Sequence, residues 1–295
     1  MAQGSATSLE GRKLRRYRKQ YVEWTTKRTN FEYGCVLKRQ QAQRGSFSFS
    51  SAELLKTCAD EEFDVVLIQE PWLSGKGEIM GLASSKYTLF TAPGEARLRS
   101  AILSKKCLNS NLCSHYNTKD QVVIQCEGAN GRSKTLFASI YIAHDMETPP
   151  DETKSLMAYA LARKLNIVIG GDANAHHSIW GSNDINNRAE CLLPFIIEYK
   201  LTIANQGNEP TFIGPTSKNV LDLTLYTDND NCTIENWRVL SRPSFSDHRY
   251  ISFCVKTNIV PNRIAGFKNA RKTDWNKFVV TVSQSVKSNM ECPIP

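Results

Sequence analysis

The chain has 295 residues, a mass of 33.2 kDa and a formal net charge of +8, which is enough chain for one large α/β domain. No apolar run approaches the roughly 20 residues that span a bilayer, and residues 1–10 lack the apolar core of a secretory signal. The 9 cysteines form no C-x-x-C pair. We therefore expect an intracellular protein with free thiols, without a disulfide framework, a zinc site or a membrane partner.

The positive charge is concentrated at the two ends of the chain. Residues 1–50 carry 11 basic and 3 acidic side chains, residues 51–255 carry 19 and 24, and residues 256–295 carry 7 and 2. An acidic body suits a carboxylate-rich metal site, and basic ends suit attraction to a phosphate backbone or simply keep the protein soluble. The basic cluster at residues 12–19 predicts a nuclear address, a nucleic-acid arm or a solvated tail.

From residue 51 onwards the apolar pattern alternates between short helices and short strands. In chain order it predicts a helix at 51–59, strands at 64–69, 101–104, 122–126 and 136–142, a helix at 151–164, a strand at 166–170, a helix at 189–200 and strands at 220–226 and 250–256. Several strands are apolar on both faces, so we expect sheets covered by other layers. Residues 261–270 are typical of a linker.

Polar residues at the mouths of these strands supply candidate catalytic groups. Gln69-Glu70 follows the apolar run 65–68, where a rigidly held carboxylate would bind Mg²⁺ or would simply end the strand. Gly170-Gly171 let the chain turn tightly after the next apolar strand and present Asp172 and Asn174 together. The carboxylate would orient or deprotonate water, and the amide would donate to a phosphate oxygen. The adjacent histidines His176-His177 diverge on an extended turn, which favours structural or substrate-edge roles.

Ser246-Asp247-His248 places an imidazole beside a carboxylate before the final strand. Such a pair suits proton transfer or phosphate contact next to a metal. Asp222 stands alone within the apolar run 220–225, and a buried acid needs a partner. His248 is the natural candidate, although Asp222 would also be satisfied by backbone donors in a loop.

Taken together, these residues resemble the exonuclease–endonuclease–phosphatase superfamily, which includes apurinic endonucleases and deoxyribonuclease I. More narrowly, residues 41–256 resemble the endonuclease domain of non-LTR retrotransposons. The narrower resemblance depends on the motifs Gln69-Glu70-Pro71-Trp72, Gly171-Asp172-Ala173-Asn174-Ala175-His176-His177, Trp180-Gly181, Pro210-Thr211-Phe212, Leu221-Asp222-Leu223-Thr224 and Ser246-Asp247-His248. It implies a four-layer α/β sandwich of two packed mixed sheets flanked by helices, with the site where the loops of the two sheets meet.

The resemblance also implies a role for each position. Glu70 would be the main metal ligand and Asp247 would complete the metal environment, with Mg²⁺ as the ion and Mn²⁺ as a substitute. Asp172 would act on the attacking water, while Asn174, Tyr141 and His248 would contact the scissile phosphate and Asp222 would orient His248. Residues 211–219 would form a variable loop that touches DNA, with Thr211, Ser217, Lys218 and Asn219 as the candidate contacts.

The implied activity is nicking of duplex DNA, leaving a 3′-hydroxyl that primes reverse transcription of the element's RNA. The implied domains are a basic N-terminal segment at 1–34, the endonuclease domain at 35–257 and a basic linker at 258–295 that resembles the connector to a reverse transcriptase domain. The sequence departs from the family in the first strand, which we assign to residues 35–43. There Gln43, or alternatively Gln41, would replace the family's metal-proximal asparagine. A decayed nucleic-acid-binding remnant and a superfamily phosphatase are the two alternative functions.

Overall fold

The computed structural model describes residues 30–37, 47–127 and 134–257, all within a compact unit that ends at Pro261. The described strands are β1 (Asn30–Leu37), β2 (Val65–Gln69), β3 (Tyr87–Phe90), β4 (Ser100–Lys105), β5 (Asn109–Leu112), β6 (Gln121–Glu127), β7 (Lys134–Tyr141), β8 (Asn166–Asp172), β9 (Leu201–Ile203), β10 (Phe212–Ile213), β11 (Lys218–Asn219), β12 (Asp222–Thr227), β13 (Cys232–Val239) and β14 (Ile251–Thr257). The described α-helices are α1 (Phe47–Asp60), α2 (Asp151–Ala162) and α3 (Asn187–Glu198). Short 3-10 helices lie at Ser114–Tyr116 and Ser178–Trp180.

The strands form two six-stranded mixed sheets and a separate two-stranded hairpin. Sheet one has the order β13-β14-β1-β2-β4-β3, and only the β1–β2 pair within it is parallel. Sheet two has the order β5-β6-β7-β8-β12-β9, and only its β7–β8 pair is parallel. The hairpin is formed by β10 and β11. Each parallel pair is joined by a connection that contains a helix, as parallel strands require.

The two sheets pack face to face, and helices cover their outer faces. On β2, Val65 and Leu67 enter the core between the sheets, whereas Val66 and Ile68 pack on the outer side against α1. Both faces of this strand are buried, which explains its uninterrupted apolar sequence. The outer face of sheet two packs against α2 and α3. The four-layer α/β sandwich predicted from the sequence is confirmed.

Gln69 connects the two sheets at the end of β2. Its Nε2 donates to Ser139 Oγ at 2.8 Å and to the Gly170 carbonyl oxygen at 3.0 Å, both in sheet two. Ser139 Oγ in turn donates to the Ile68 carbonyl oxygen at 2.8 Å. All of these groups are buried, where a hydrogen bond left unmade costs about 1–3 kcal/mol. These hydrogen bonds therefore fix the position of sheet one relative to sheet two at the residue next to Glu70.

The predicted strands and helices occur within a few residues of their expected bounds, with one correction. The described first strand is Asn30–Leu37, so it begins at Asn30 and not at Cys35 as expected, because β14 pairs with residues 30–35 and β2 pairs with residues 33–37. Residues 30–34 of the expected N-terminal segment therefore belong to sheet one. Gln41, Gln43, residues 1–29 and the expected linker at 258–295 lie outside the described residues. Among the described helices, none is long and apolar enough to cross a membrane.

Candidate active site

The candidate catalytic residues lie where strands of both sheets end. Asp172 is the last residue of β8 and pairs with Tyr141 at the end of β7 and with Asp222 at the start of β12. These three residues thus form one row across neighbouring strands of sheet two. Glu70 directly follows β2 of sheet one, and His248 precedes β14 of the same sheet. The site is therefore assembled from both sheets.

His248 is held between two buried carboxylates. Its Nδ1 lies 3.1 Å from each carboxylate oxygen of Asp222, and its Nε2 lies 3.8 Å from Asp172 Oδ2. All three side chains are buried. The alternative in which Asp222 serves only backbone donors is wrong, because its carboxylate contacts the imidazole. A carboxylate on Nδ1 directs Nε2 towards the remaining partner, as in other acid–histidine pairs.

Burial and mutual charge shift the pKa values of this group. Burial, reinforced by the charge of Asp222, raises the pKa of Asp172 from 3.8 to about 7. Burial would lower the pKa of His248, but the carboxylates of Asp222 and Asp172 outweigh it and raise the pKa to about 9. Near neutral pH, His248 is therefore protonated and Asp172 can take up or release a proton, as acid–base chemistry requires.

Glu70 and Asn174 each adopt a left-handed backbone conformation at this site. Their φ angles are 47° and 46°, a region that costs a non-glycine residue on the order of 1 kcal/mol. The Glu70 N–H donates to the Arg99 carbonyl at 2.7 Å, and the Asn174 N–H donates to Asp172 Oδ1 at 3.0 Å. Asn174 Nδ2 donates to the Ile142 carbonyl at 3.0 Å, which fixes the amide while leaving it a second N–H.

Several carboxylates near the row could bind a hard cation. Glu70 directly follows β2, and its charge contributes to the raised pKa of both Asp172 and His248. The ligand atoms of Asp172, Asp222 and His248 lie within 4.8 Å of one another. Both oxygens of Asp222 already contact His248, so the carboxylates of Glu70 and the half-buried Asp247 are better candidates to bind a hard cation. The excess of buried negative charge also suits a cation.

Two arginines that no sequence motif indicated support the site. Arg188 on α3 donates to the carbonyl oxygens of Ala173 (3.4 Å), Ile142 (3.1 Å) and Met146 (3.0 Å), so it ties α3 to the turns after β8 and β7. Burial lowers its pKa, while the nearby Asp172 charge opposes that shift. Neither its position in the chain nor its neighbours signalled this role, because all its partners are backbone carbonyls.

Arg99 is the second supporting arginine. Its Nη2 donates to Asp120 Oδ2 at 2.6 Å, and its guanidinium lies 5.0 Å from the centre of the Tyr141 ring. The Arg99 carbonyl accepts the Glu70 N–H, so one residue contacts the backbone of Glu70 and the ring of Tyr141. The sequence contains no local pattern that would have associated these distant positions.

The hairpin β10–β11 adjoins the site but departs from expectation at one residue. Phe212 forms a β-bridge with His248, and the centres of their rings lie 4.9 Å apart in an edge-on arrangement. Thr211 is fully buried, and its hydroxyl accepts the N–H groups of Leu221 and Asp222 at 3.1 and 3.2 Å. The prediction that Thr211 contacts DNA is therefore wrong. Ser217 and Lys218 are exposed and Asn219 is half-buried.

The adjacent histidines have structural partners. His176 Nδ1 lies 2.9 Å from the Asp184 carboxylate, and the His177 side chain accepts the Ile179 N–H at 3.0 Å. The buried Trp180 donates from Nε1 to the Ala175 carbonyl at 3.1 Å. These contacts organise the turn that follows Asn174.

Comparisons with known proteins agree with this architecture. Residues 135–252 match the family model described as endonuclease-reverse transcriptase. The endonuclease domain of TRAS1, a telomere-specific non-LTR retrotransposon, superposes with a TM-score of 0.62 at 23% identity, covering 78% of this chain and 99% of that one. An AP endonuclease, LMAP from Leishmania major, has a TM-score of 0.58 at 11% identity, covering 77% of this chain and 88% of that one. A mannosyl-6-phosphatase from Bacteroides thetaiotaomicron has a TM-score of 0.52 at 10% identity, covering 76% and 99%. No curated protein matches the chain.

The chain shares the fold of these solved structures, which confirms the predicted resemblance to the exonuclease–endonuclease–phosphatase superfamily at the level of the fold. The predicted resemblance to retrotransposon endonucleases is also confirmed, by the match of residues 135–252 and by the likeness of the fold to that of the TRAS1 domain.

Proposed function

We propose that the chain is a metal-dependent endonuclease that nicks one strand of duplex DNA and leaves a 3′-hydroxyl that primes reverse transcription in a retrotransposon. The observation that supports this proposal most strongly is the buried arrangement of Asp222, His248 and Asp172 near Glu70. Such an arrangement combines a protonated donor, a carboxylate with a pKa of about 7 and oxygen ligands for a cation. The likeness to a retrotransposon endonuclease supports DNA as the substrate.

In this mechanism, protein groups position the phosphate and handle the protons. The protonated Nε2 of His248 and the Asn174 amide donate to non-bridging oxygens of the phosphate, together with the Tyr141 hydroxyl. Asp172 orients a water molecule and accepts its proton as the water oxygen attacks phosphorus in line with the leaving oxygen. The bond from phosphorus to the 3′ oxygen breaks, and the leaving oxygen takes a proton from a solvent water molecule to become the 3′-hydroxyl, while Asp172 returns its proton to solvent.

Glu70 and Asp247 would hold Mg²⁺ or Mn²⁺, with Gln43 as a further candidate from outside the described residues. When bound, the ion would polarise the phosphate and stabilise charge on the leaving oxygen. Ser217, Lys218 and Asn219 on the hairpin are the proposed DNA contacts that flank His248. In this proposal the protein acts in the nucleus. The RNA of the retrotransposon would be a further partner, bound through a reverse transcriptase domain.

The test is conversion of supercoiled plasmid to open circles by the purified chain, with Mg²⁺ and with EDTA. An Asp172→Asn variant serves as the catalytic control, and Asp228→Asn, at an exposed position, serves as the matched control. We expect nicking that requires the metal, is absent in the first variant and is retained in the second. Ends that a polymerase can extend would demonstrate the 3′-hydroxyl. Nicking that survives Asp172→Asn would contradict the assignment.

A sugar phosphatase shares the fold, so the same protein preparation is also assayed for phosphatase activity. Turnover of small phosphomonoesters without plasmid nicking would favour it. Folded protein that binds DNA in a salt-dependent way but hydrolyses neither substrate would favour a decayed remnant. Gln43→Asn would then be the repair to attempt, since restored nicking would show that only the first strand had decayed.

A further inference from the structure

A cavity of about 590 Å³ opens at the β5 edge of sheet two. Its walls are β5, the 3-10 helix Ser114–Tyr116, β6 and the C-terminal end of α2. The volume lies within the range of about 300–1,000 Å³ that is usual for pockets that bind small molecules. None of the residues described around it takes part in the proposed cleavage, so the cavity needs an explanation of its own.

Stacked planar groups form one wall of the cavity. The ring centres of Tyr116 and Tyr159 lie 4.8 Å apart, with their planes tilted by 36°. The guanidinium carbon of Arg163 lies 5.3 Å from the centre of the Tyr159 ring. Both tyrosines are half-buried and pack against the outer core of sheet two, so their rings are held in place. Such a wall offers flat surfaces on which a nucleobase stacks.

The charge of the cavity favours an anionic ligand. Arg163 and His115 are exposed basic side chains of the lining, and no acidic residue is among the described residues that line it. Glu127 accepts a hydrogen bond from the lining residue Gln125 at 2.9 Å, but it is paired with Lys134 at 3.1 Å, which compensates its charge. The planar guanidinium presents several N–H groups in a geometry that matches phosphate oxygens.

Two side-chain amides complete the lining. Asn111 on β5 lies directly opposite Gln125 on β6, and both line the cavity. An amide carries donors and an acceptor, as the edge of a nucleobase does. Flat rings, amides and a guanidinium in one cavity suit a nucleotide better than an apolar molecule.

The cavity lies at the same end of sheet two as the catalytic row. Gln121 Nε2 donates to the Tyr116 carbonyl at 2.8 Å, and Gln121 pairs with Ile140, the residue before Tyr141. β5 is two strands from β7 and three from β8, or roughly 10 and 15 Å at about 4.8 Å per strand. The longer distance corresponds to about four nucleotides at a rise of about 3.4 Å. A strand that leaves the catalytic row is therefore within reach of the cavity.

We propose that this cavity binds one nucleotide of an unpaired strand, with the base against the Tyr116–Tyr159 wall and the phosphate at Arg163. The inference rests on the proposed function, because the strand is either the DNA strand freed by the nick or the RNA of the element. The two share the chemistry that the cavity recognises. A base within a duplex is stacked and paired, and releasing it costs free energy, so intact duplex does not fill the cavity.

The first test measures binding of labelled single strands of about 8 nucleotides, oligodeoxythymidine and oligouridine, by fluorescence anisotropy in EDTA. Arg163→Gln should weaken their binding on the order of 10-fold and reduce the slope of log affinity against log salt by about 0.7, because one phosphate contact is lost. Binding of a duplex of the same length should not change. Lys164→Gln makes the same charge change at the next exposed residue, outside the lining, and should bind like wild type.

The second variant separates stacking from charge. Tyr159→Leu should also weaken single-strand binding on the order of 10-fold, because a base loses its aromatic surface, but it should leave the salt dependence unchanged. Tyr199→Leu is the matched control, since Tyr199 is a half-buried tyrosine at the end of α3 that stacks on Phe195. Each variant is compared with wild type at an equal melting temperature, and Arg163→Gln changes only an exposed side chain.

Two results would overturn the inference: wild-type binding of single strands by Arg163→Gln, or an equal loss for single strands and duplex, which would indicate an ordinary phosphate contact. Where the loss is specific to single strands, tighter binding of oligouridine assigns the cavity to RNA, and equal or tighter binding of oligodeoxythymidine assigns it to DNA. Because EDTA prevents cleavage, a specific loss in a protein that never nicks plasmid would keep the cavity and reject the endonuclease. Nicking by a protein whose single-strand binding ignores Arg163 would do the reverse.

Discussion

Replacing Asp172 by asparagine is expected to abolish nicking and, at the same time, to stabilise the folded protein above neutral pH. The carboxylate is buried beside Asp222, and its pKa is raised from 3.8 to about 7. In the unfolded chain the proton leaves near 3.8, whereas the folded protein keeps it until about 7. Stability that this group contributes at low pH is therefore lost progressively as the pH rises through that interval.

The magnitude follows from the size of the shift. The interval from 3.8 to about 7 corresponds to about 4 kcal/mol above neutral pH, at about 1.36 kcal/mol per pKa unit. An asparagine of the same shape removes the titration while keeping an acceptor for the Asn174 N–H. The free energy of unfolding should then rise by up to about 4 kcal/mol at about pH 8 and change little at about pH 4.

The assay is urea unfolding of wild type and Asp172→Asn at about pH 4, pH 6 and pH 8, followed by tryptophan fluorescence. Asp228→Asn, an exposed carboxylate, should behave like wild type at every pH. The reasoning is refuted if Asp172→Asn is no more stable than wild type at about pH 8, or if its advantage is the same at about pH 4. Either result would mean that ionising the buried Asp172 carboxylate does not destabilise the folded protein.

Three further outcomes follow from the site. Asp222→Asn should lower the pKa of His248 from about 9, because the largest charge that opposes burial is then removed; an unchanged imidazole titration by NMR would contradict this. Thr211→Val should cost about 1–3 kcal/mol in unfolding free energy, since two buried N–H donors lose their acceptor, and Thr216→Val on the exposed hairpin should cost far less. Arg188→Lys should lower kcat by on the order of 10-fold with little change in KM, because an ammonium cannot replace the guanidinium contacts to Ala173 and Ile142; equal kcat would argue against a positioning role.

Most of the sandwich could be predicted because its central strands are buried on both faces. The run at 65–68 and the strand that ends at Asp172 have no alternative to a covered sheet, so their apolar composition alone identifies them. The edge strands β5 and β13 were not identified. β5 alternates between exposed and half-buried residues and has one apolar residue, and in β13 the two buried residues, Cys232 and Trp237, are too far apart to give a periodic apolar pattern. The first strand was displaced because pairing partners, rather than composition, determine its bounds.

The site divides in the same way. Asp172, Asp222 and His248 each stand at the mouth of an apolar strand, so their chemistry was visible locally, and their proximity followed from the family resemblance. Arg188 acts only on backbone carbonyls, which leave no mark in a sequence. Thr211 was misjudged because a hydroxyl in a polar loop looks exposed until the backbone donors that it serves are located.

The bridge made by Gln69 has a consequence for partial copies of this chain. Residues 135–252 contain Asp172, Asp222, His248 and most of sheet two, whereas Glu70 and the Gln69 amide that hydrogen-bonds the two sheets together lie earlier in the chain. A shortened chain that begins after residue 70 would contain every acid–base residue of the site. It would lack β2, the strand whose Gln69 aligns sheet one with sheet two. Supplying residues 1–70 as a separate polypeptide should then restore nicking by complementation, because it returns the Gln69 hydrogen bonds to Ser139 and Gly170.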